Sequence, residues 1–264
     1  MSAPLPDISL RNIQGLIFDF DGTLYDYRWL PFRLIMDNPR DIFRIWSERR
    51  TRKKFAGSDC GSPEDYYKEY FSYLGALCHE DGTVLQDWYS NRYIPRMVRI
   101  LQKYYTLRPG VVELFDRLNA AVESADNNDD LRGIALYSDY PLLRERMEAL
   151  GLRAGSKLRL YGPEFFGAQK PARRPFISIA RDMGLIAGNI LVIGDREDTD
   201  GAGATNAGMS FFLLEDGRKR HWRMDPDRWP PWKKEPHPVL SNPRGYGSWE
   251  TIRAMLAARL QDKY

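Results

Sequence analysis

Sulfur is scarce in this 264-residue chain: the cysteines are Cys60 and Cys78 alone. Two widely spaced thiols build neither a disulfide framework nor a zinc cluster. Three scattered histidines, His79, His221 and His237, exclude the usual histidine-rich metal sites. Excess charge is lacking too. Lys plus Arg number 39 against 36 Asp plus Glu, so 39 − 36 = +3, no electrostatic footprint for nucleic acid. No uninterrupted apolar run reaches membrane-spanning length, and the opening MSAPLPDISLRNIQ has no apolar h-region. There is no internal repeat. These absences lead to the expectation of a soluble, cytoplasmic protein with no membrane or nucleic-acid partner.

What is present is ordinary for an enzyme, with 43% hydrophobic and 28% charged residues. The length suits one large domain, or a core carrying a smaller inserted one. Residues 15–18 form a short apolar run that stops abruptly at Asp19 and closes on the turn signal Asp21-Gly22. It reads as a buried strand. Similar runs recur at 133–137, 189–193 and 209–214, with a weaker one at 157–161. Helical patterns at 110–122, 141–150, 175–183 and 201–207 separate them. Strands alternating with helices predict an α/β fold, a Rossmann-like, doubly wound and mostly parallel sheet covered on both faces.

The first strand is followed by a long helical, aromatic and charged departure with no convincing strand, which reads as an inserted lid. The polar stretch 124–130 reads as a surface loop. Beyond Leu214 the chain turns rich in Pro, Trp and basic residues, then ends in a helical pattern at 248–260. The expected organisation is therefore a core at 1–25 and 107–214, a helical cap at 26–106, and an extension with a terminal helix at 215–264.

The strongest chemical signal is Asp19-Phe20-Asp21-Gly22-Thr23. Carboxylates at i and i+2 point to one side of an extended strand. Such close like charges repel unless a cation or a shared proton relieves them. Gly22 allows a sharp turn, which the Thr23 hydroxyl can pin by bonding to backbone. Taken alone, the segment also fits a plain Asp-Gly turn. A second acidic cluster, Gly194-Asp195-Arg196-Glu197-Asp198-Thr199-Asp200, follows another apolar run. Carboxylates at two neighbouring strand ends would meet at the carboxyl edge of the sheet, where open α/β sheets bind ligands. Oxygen donors without histidine or cysteine suit Mg²⁺. Gly201-Ala202-Gly203 has the outline of a dinucleotide loop, but Asn206 stands where the third glycine belongs, which argues against nicotinamide or flavin. Ser138 ends the 133–137 strand, so its hydroxyl and the following backbone N–H, that of Asp139, can donate to a phosphate oxygen. The ammonium of Lys170, ahead of Pro171, can neutralise developing negative charge.

In this order the segments resemble the four motifs of the haloacid dehalogenase superfamily: DFDGT, Ser138 after an apolar strand, Lys170-Pro171, and GDREDTD. Phe176 falls where members with Lys-Pro often carry an aromatic. The resemblance covers residues 15–20 and about 108–214, and the 26–106 insert fits the helical cap of many members. It implies that Asp19 attacks phosphorus to give an aspartyl-phosphate, with Asp21 as acid and then base. It implies Mg²⁺ on Asp19, the backbone carbonyl of Asp21 and Asp195, with Asp200 or Asp198 as the remaining acid and Asp200 preferred. Thr23, Ser138, Asp139 and Lys170 would hold substrate. Apart from the resemblance, Arg28 and Arg33 near the cap junction either read a second anionic group or are simply solvated, the second being the reading preferred. Dehalogenase members lack an Asp two residues after the nucleophile, and phosphonatase members have Ala there. Asp21 therefore points to a phosphatase or phosphomutase.

A cap favours a small phosphorylated metabolite: a sugar phosphate, a nucleotide (Tyr25 follows Gly-Thr-Leu as in some nucleotidase-like members) or a phospho-acid. The cap aromatics read as core. The basic runs 49–54 and 218–223, the latter near Trp229 and Trp232, read as solvated faces, with binding or scaffolding through the tail as the rival from another class.

Overall fold

The computed structural model describes residues 10–125, 130–215 and 244–261. Six strands form one sheet in the order β3-β2-β1-β4-β5-β6, and every pairing is parallel. The strands are β1 (Gly15–Asp19), β2 (Gly133–Tyr137), β3 (Leu158–Tyr161), β4 (Ile190–Gly194), β5 (Ser210–Leu214) and β6 (Arg244–Gly247).

The central strands are buried on both faces, which is why they read as continuous apolar runs. Alternate residues serve two separate cores. Leu16, Phe18, Ile134, Leu136, Leu191 and Ile193 face one core, shared with helices α6 (Val111–Glu123) and α11 (Trp249–Gln261). Ile17, Ala135, Tyr137, Ile190 and Val192 face the other, beneath α9 (Arg173–Asp182) and α10 (Ala202–Ala207). Two shorter helices, α7 (Leu143–Ala149) and α8 (Pro163–Phe166), flank β3. The small residues after Gly201 have a packing use. A Cβ on Gly203 would run into the Phe176 ring, so the glycine lets α10 press against α9.

Between β1 and α6 the chain makes an inserted helical cap of α1 (Leu30–Asp37), α2 (Ile42–Phe55), α3 (Pro63–Cys78), α4 (Gly82–Trp88) and α5 (Ile94–Tyr104). Tyr66, Tyr70, Trp88, Tyr89 and Tyr93 are buried within it, while Trp29, Phe32, Phe43 and Trp46 are exposed. The buried cap also holds a carboxylate. Glu48 accepts from the Tyr70 hydroxyl at 3.0 Å and pairs with Arg52, which offsets the cost of burying its charge. Among the described residues no helix is long and apolar enough to cross a membrane.

Three elements depart from the sequence reading. No strand was expected beyond Leu214, yet Arg244–Gly247 extends the sheet beside β5, with Phe212 opposite Gly245. The terminal helix α11 is packed into the core rather than standing apart, through buried Trp249, Ile252 and Leu256. The pattern at 201–207 is preceded by a wide π-type turn over Glu197–Gly201. The basic run 218–223, Trp229, Trp232 and residues 126–129 of the polar loop lie outside the described residues.

Candidate active site

Strand β1 lies between β2 and β4, with Asp19 opposite Tyr137 and Phe18 opposite Ile193. The chain leaves β1 towards β2 and β3 on one side, and β4, β5 and β6 lie on the other. This reversal of order leaves a crevice beyond the carboxyl ends of β1 and β4. Asp19 and Asp195 sit at its two lips. Gly22 makes the close approach possible: its φ is +96°, and a Cβ there would meet the Asp195 Oδ2 at 2.5 Å.

Asp19, Asp195 and Asp200 each bring one carboxylate oxygen to within 4.8 Å of the others, all three side chains being buried. Lys170 is the cation among them. Its Nζ donates to Asp19 Oδ1 at 2.6 Å, Asp200 Oδ1 at 2.8 Å and the Tyr137 carbonyl at 2.8 Å. The Thr23 hydroxyl donates to the other Asp19 oxygen at 2.9 Å. The turn is pinned instead by Arg108, whose guanidinium donates to the Thr23 and Gly22 carbonyls.

Electrostatics follow from this crowding. Burial pushes the Asp19 carboxyl up, Lys170 pulls it back, and the charges of Asp200 and Asp21 push it up again, to about 7. Burial likewise raises Asp200, against the pull of Lys170. Burial opposes the charge on Lys170, but Asp19 and Asp200 outweigh it and hold the ammonium protonated. Three carboxylates facing one ammonium carry surplus negative charge, and their hard oxygen donors are what a Mg²⁺ ion takes. These residues fit that ion.

Asp21 belongs to a second cluster. Its carboxylate is gripped by the fully buried Arg146, whose Nη1 donates to Oδ1 at 2.9 Å and Oδ2 at 2.7 Å. The Tyr25 hydroxyl donates to Oδ1, and the Ser138 hydroxyl to Oδ2 at 2.8 Å. Burial raises the Asp21 pKa, but Arg146 and these hydrogen bonds more than offset it and bring it below the ordinary carboxylate value.

The remaining residues singled out from sequence take other places. The Ser138 hydroxyl, expected to face a phosphate, donates to Asp21 and accepts from Arg146 and the Tyr140 N–H. Asp139 caps the Lys170 loop, its Oδ1 accepting the Lys170 N–H at 3.0 Å. Arg28 is exposed and tied to Asp26, two residues away. Arg33 lies over the Tyr104 ring. Between the two candidate acids, Asp200 joins the carboxylates, while Asp198 pairs with Arg196 towards the surface.

Two arginines escaped the sequence reading. Arg52, in the run taken as solvated, turns inward from α2 and donates to the Asp139 carbonyl at 2.7 Å, with its guanidinium over the Tyr140 ring. Arg146 did leave a signal. Leu143, Arg146, Met147 and Leu150 fall at i, i+3, i+4 and i+7, so a charge sits on the buried stripe of the α7 segment.

Comparison with known proteins agrees with this geometry. The family model for haloacid dehalogenase-like hydrolases matches residues 13–208. Among solved structures, a 2-haloacid dehalogenase from Pseudomonas syringae superposes with a TM-score of 0.56 at 16% identity, covering 94% of this chain and 99% of its own. The putative hydrolase YfnB from Bacillus subtilis, solved with magnesium bound, gives 0.56 at 16% identity, covering 93% and 99%. A phosphatase of the same superfamily from Thermococcus onnurineus gives 0.54 at 14% identity, covering 92% and 98%. At such identities these likenesses show the fold alone. No curated protein matches the sequence significantly. The family match spans most of the chain, and the chain belongs to the haloacid dehalogenase-like hydrolases.

Proposed function

We propose that this haloacid dehalogenase-like hydrolase is a Mg²⁺-dependent phosphatase that cleaves a small phosphomonoester in the cytoplasm, with Asp19 as nucleophile. The observation that carries the reading is the buried cluster of Asp19, Asp195 and Asp200, with Lys170 paired to Asp19 and Asp200 and a further carboxylate, Asp21, two residues after Asp19 in the chain. A dehalogenase needs a nucleophilic carboxylate but no leaving-group acid two residues on, whereas a phosphate ester needs both.

Asp19, Asp195 and Asp200, with the Asp21 carbonyl, are the groups that would hold Mg²⁺. The ion's chemistry there is to neutralise phosphate charge, so that an anionic nucleophile can approach. The rest falls to the chain. An Asp19 oxygen bonds to phosphorus as the ester oxygen departs; for Asp21 to give that oxygen its proton, its carboxyl must first leave Arg146, which holds it ionised, and take up a proton from solvent. Water then attacks the aspartyl-phosphate, Asp21 takes the water's proton, and Asp19 is regenerated as inorganic phosphate leaves. Lys170 fixes one Asp19 oxygen, which orients the carboxylate and supplies positive charge beside the transferring group.

A screen of phosphate release from sugar phosphates, nucleotides and phospho-acids with Mg²⁺, alongside halide release from 2-haloacids, tests the reading. Phosphate release that needs Mg²⁺ and is lost in Asp19→Asn supports it. Halide release without phosphate release would assign the site to dehalogenation instead.

A further inference from the structure

We propose that the outer face of α1 and α2 is a docking surface for an anionic lipid bilayer, seating the cap in the headgroup layer. The inference goes beyond the phosphatase reading and is independent of it, since it concerns where the chain sits and not what it cleaves.

Single apolar side chains at a surface are ordinary, but clusters of them are not. Among the described residues thirteen large apolar side chains are exposed, and six of these fall between Trp29 and Trp46. Trp29, Phe32 and Met36 lie at i, i+3 and i+7 on one face of α1, while Leu30 and Leu34 turn inward. On α2, Phe43 and Trp46 are again three apart, with Ile42 beside them, while Ile45, Glu48 and Thr51 turn inward. Trp29 is 64% exposed and Trp46 51%, so neither indole is part of the cap's own core.

The same face of α2 continues as charge. Arg50 and Lys53 follow Phe43 at i+7 and i+10, and Arg49 and Lys54 flank them, all exposed. The Arg50 guanidinium lies over the Trp46 ring, 4.6 Å from its centre. Arg40 is exposed at the corner between the two helices. Among the described residues none of these five cations is in an ion pair. The carboxylates of the segment are held elsewhere, Glu48 by Arg52 and both Asp37 and Asp41 by Arg96. Arg96 thereby pins the corner, where the Asn38 amide also donates to Asp41 at 2.9 Å. The two exposed faces are thus held in a fixed relation.

Lipid is the occupant that matches both halves of this surface. Tryptophan and phenylalanine settle at the boundary between headgroups and acyl chains, and arginine and lysine meet anionic headgroups just outside it. A helix lying in that plane needs one apolar face and a basic flank, not about twenty apolar residues in a row. The lack of such a run, which excludes a spanning helix, leaves this mode untouched. A second copy of the chain fits less well, because it would gather the cations of both copies with no free carboxylate on the face to meet them. A nucleic-acid strand would use the cations and the flat rings, but Met36 and Ile42 offer its bases nothing to stack on.

The test is sedimentation of the full chain with vesicles of phosphatidylcholine alone and of phosphatidylcholine with a quarter phosphatidylserine. Wild type should pellet with the mixed vesicles, far less with the neutral ones, and should be released as salt rises. A cation near an anionic surface is worth about fivefold in affinity, so Arg50→Gln, Lys53→Gln and Lys54→Gln together should cost about 10²-fold. Phe43→Ser with Trp46→Ser should cost about tenfold or more. These side chains are exposed, so both variants should keep the wild-type circular dichroism. Equal binding to both vesicle types, binding to neither, or wild-type binding by both variants would overturn the proposal, the last by moving the contact off this face. A dimer in light scattering that Phe43→Ser with Trp46→Ser dissolves would make the face a contact between copies. Capture of single-stranded RNA in preference to vesicles would make it a nucleic-acid surface, and either result also overturns the proposal.

Discussion

The Lys170 ammonium lies 2.6 Å from Asp19 Oδ1, joining residues 151 positions apart in the chain. The same ammonium holds Asp200, so one cation keeps two buried carboxylates in register. Replacing it with Met should leave them facing each other unrelieved. Breaking a buried ion pair from one side costs about 3–5 kcal/mol, so Lys170→Met should lower the urea midpoint markedly. Adding Asp200→Asn to that variant should recover part of the loss. An unchanged midpoint in the single variant would show that the lysine does not stabilise the cluster.

Asp19→Asn should lower phosphate release by at least about 10³-fold, because the amide keeps the shape of the carboxylate but not its nucleophilic oxygen. Its melting temperature should stay near that of wild type. Retained turnover in a preparation free of contaminating phosphatase would move the nucleophile elsewhere.

Asp19 also makes stability depend on pH. Its folded pKa of about 7 stands above the ordinary 3.8, so the unfolded carboxyl ionises more readily. Its contribution to stability is fully present below the unfolded value and is lost as pH rises through about 7. Metal-free protein should therefore melt at falling temperature between pH 6 and 8, and Mg²⁺ should restore more at pH 8 than at pH 6. Asp195→Asn should blunt the Mg²⁺ response. A rise of equal size in both proteins at both pH values would remove Asp195 from the ligand set.

Gly22→Ala should be worse than its single methyl suggests. The φ of +96° disfavours any side chain, and the new Cβ would press on the Asp195 carboxylate. We expect about 1–3 kcal/mol of destabilisation and a weakened Mg²⁺ shift in a thermal melt. Wild-type behaviour on both counts would mean that the turn can relax away from Asp195.

The legible parts of this protein are those whose physics is local. An apolar run that halts on a carboxylate marks both a buried strand and a strand-end charge, which is why Asp19 and Asp195 stood out without any knowledge of the fold. Strand β6 gives no such signal. Its sequence, Arg-Gly-Tyr-Gly, has no alternation to read, and it becomes a strand because the edge of β5 is open to it. The inward turn of Arg52 is illegible for a related reason. Whether an arginine turns inward depends on which carbonyl or carboxylate the fold places within reach, here the Asp139 carbonyl. Arg146 carried a readable signal that went unread, a charge on an apolar stripe.

The loop after α2 is stitched to the loop that carries Lys170. Gly57 donates to the Lys170 carbonyl, Gln169 to Ser58 and Cys60 to Gly167, each at 3.0 Å, and Asp59 grips Arg174 across the same seam. At the other end, the Arg108 N–H bonds the Leu24 carbonyl where the chain leaves and re-enters the core. The cap is thus fastened to the core at two edges. Swinging the cap wide would tear three main-chain hydrogen bonds and shift the lysine that is hydrogen-bonded to Asp19. The hydrogen bonds that fasten this edge of the cap therefore also hold the loop that carries Lys170.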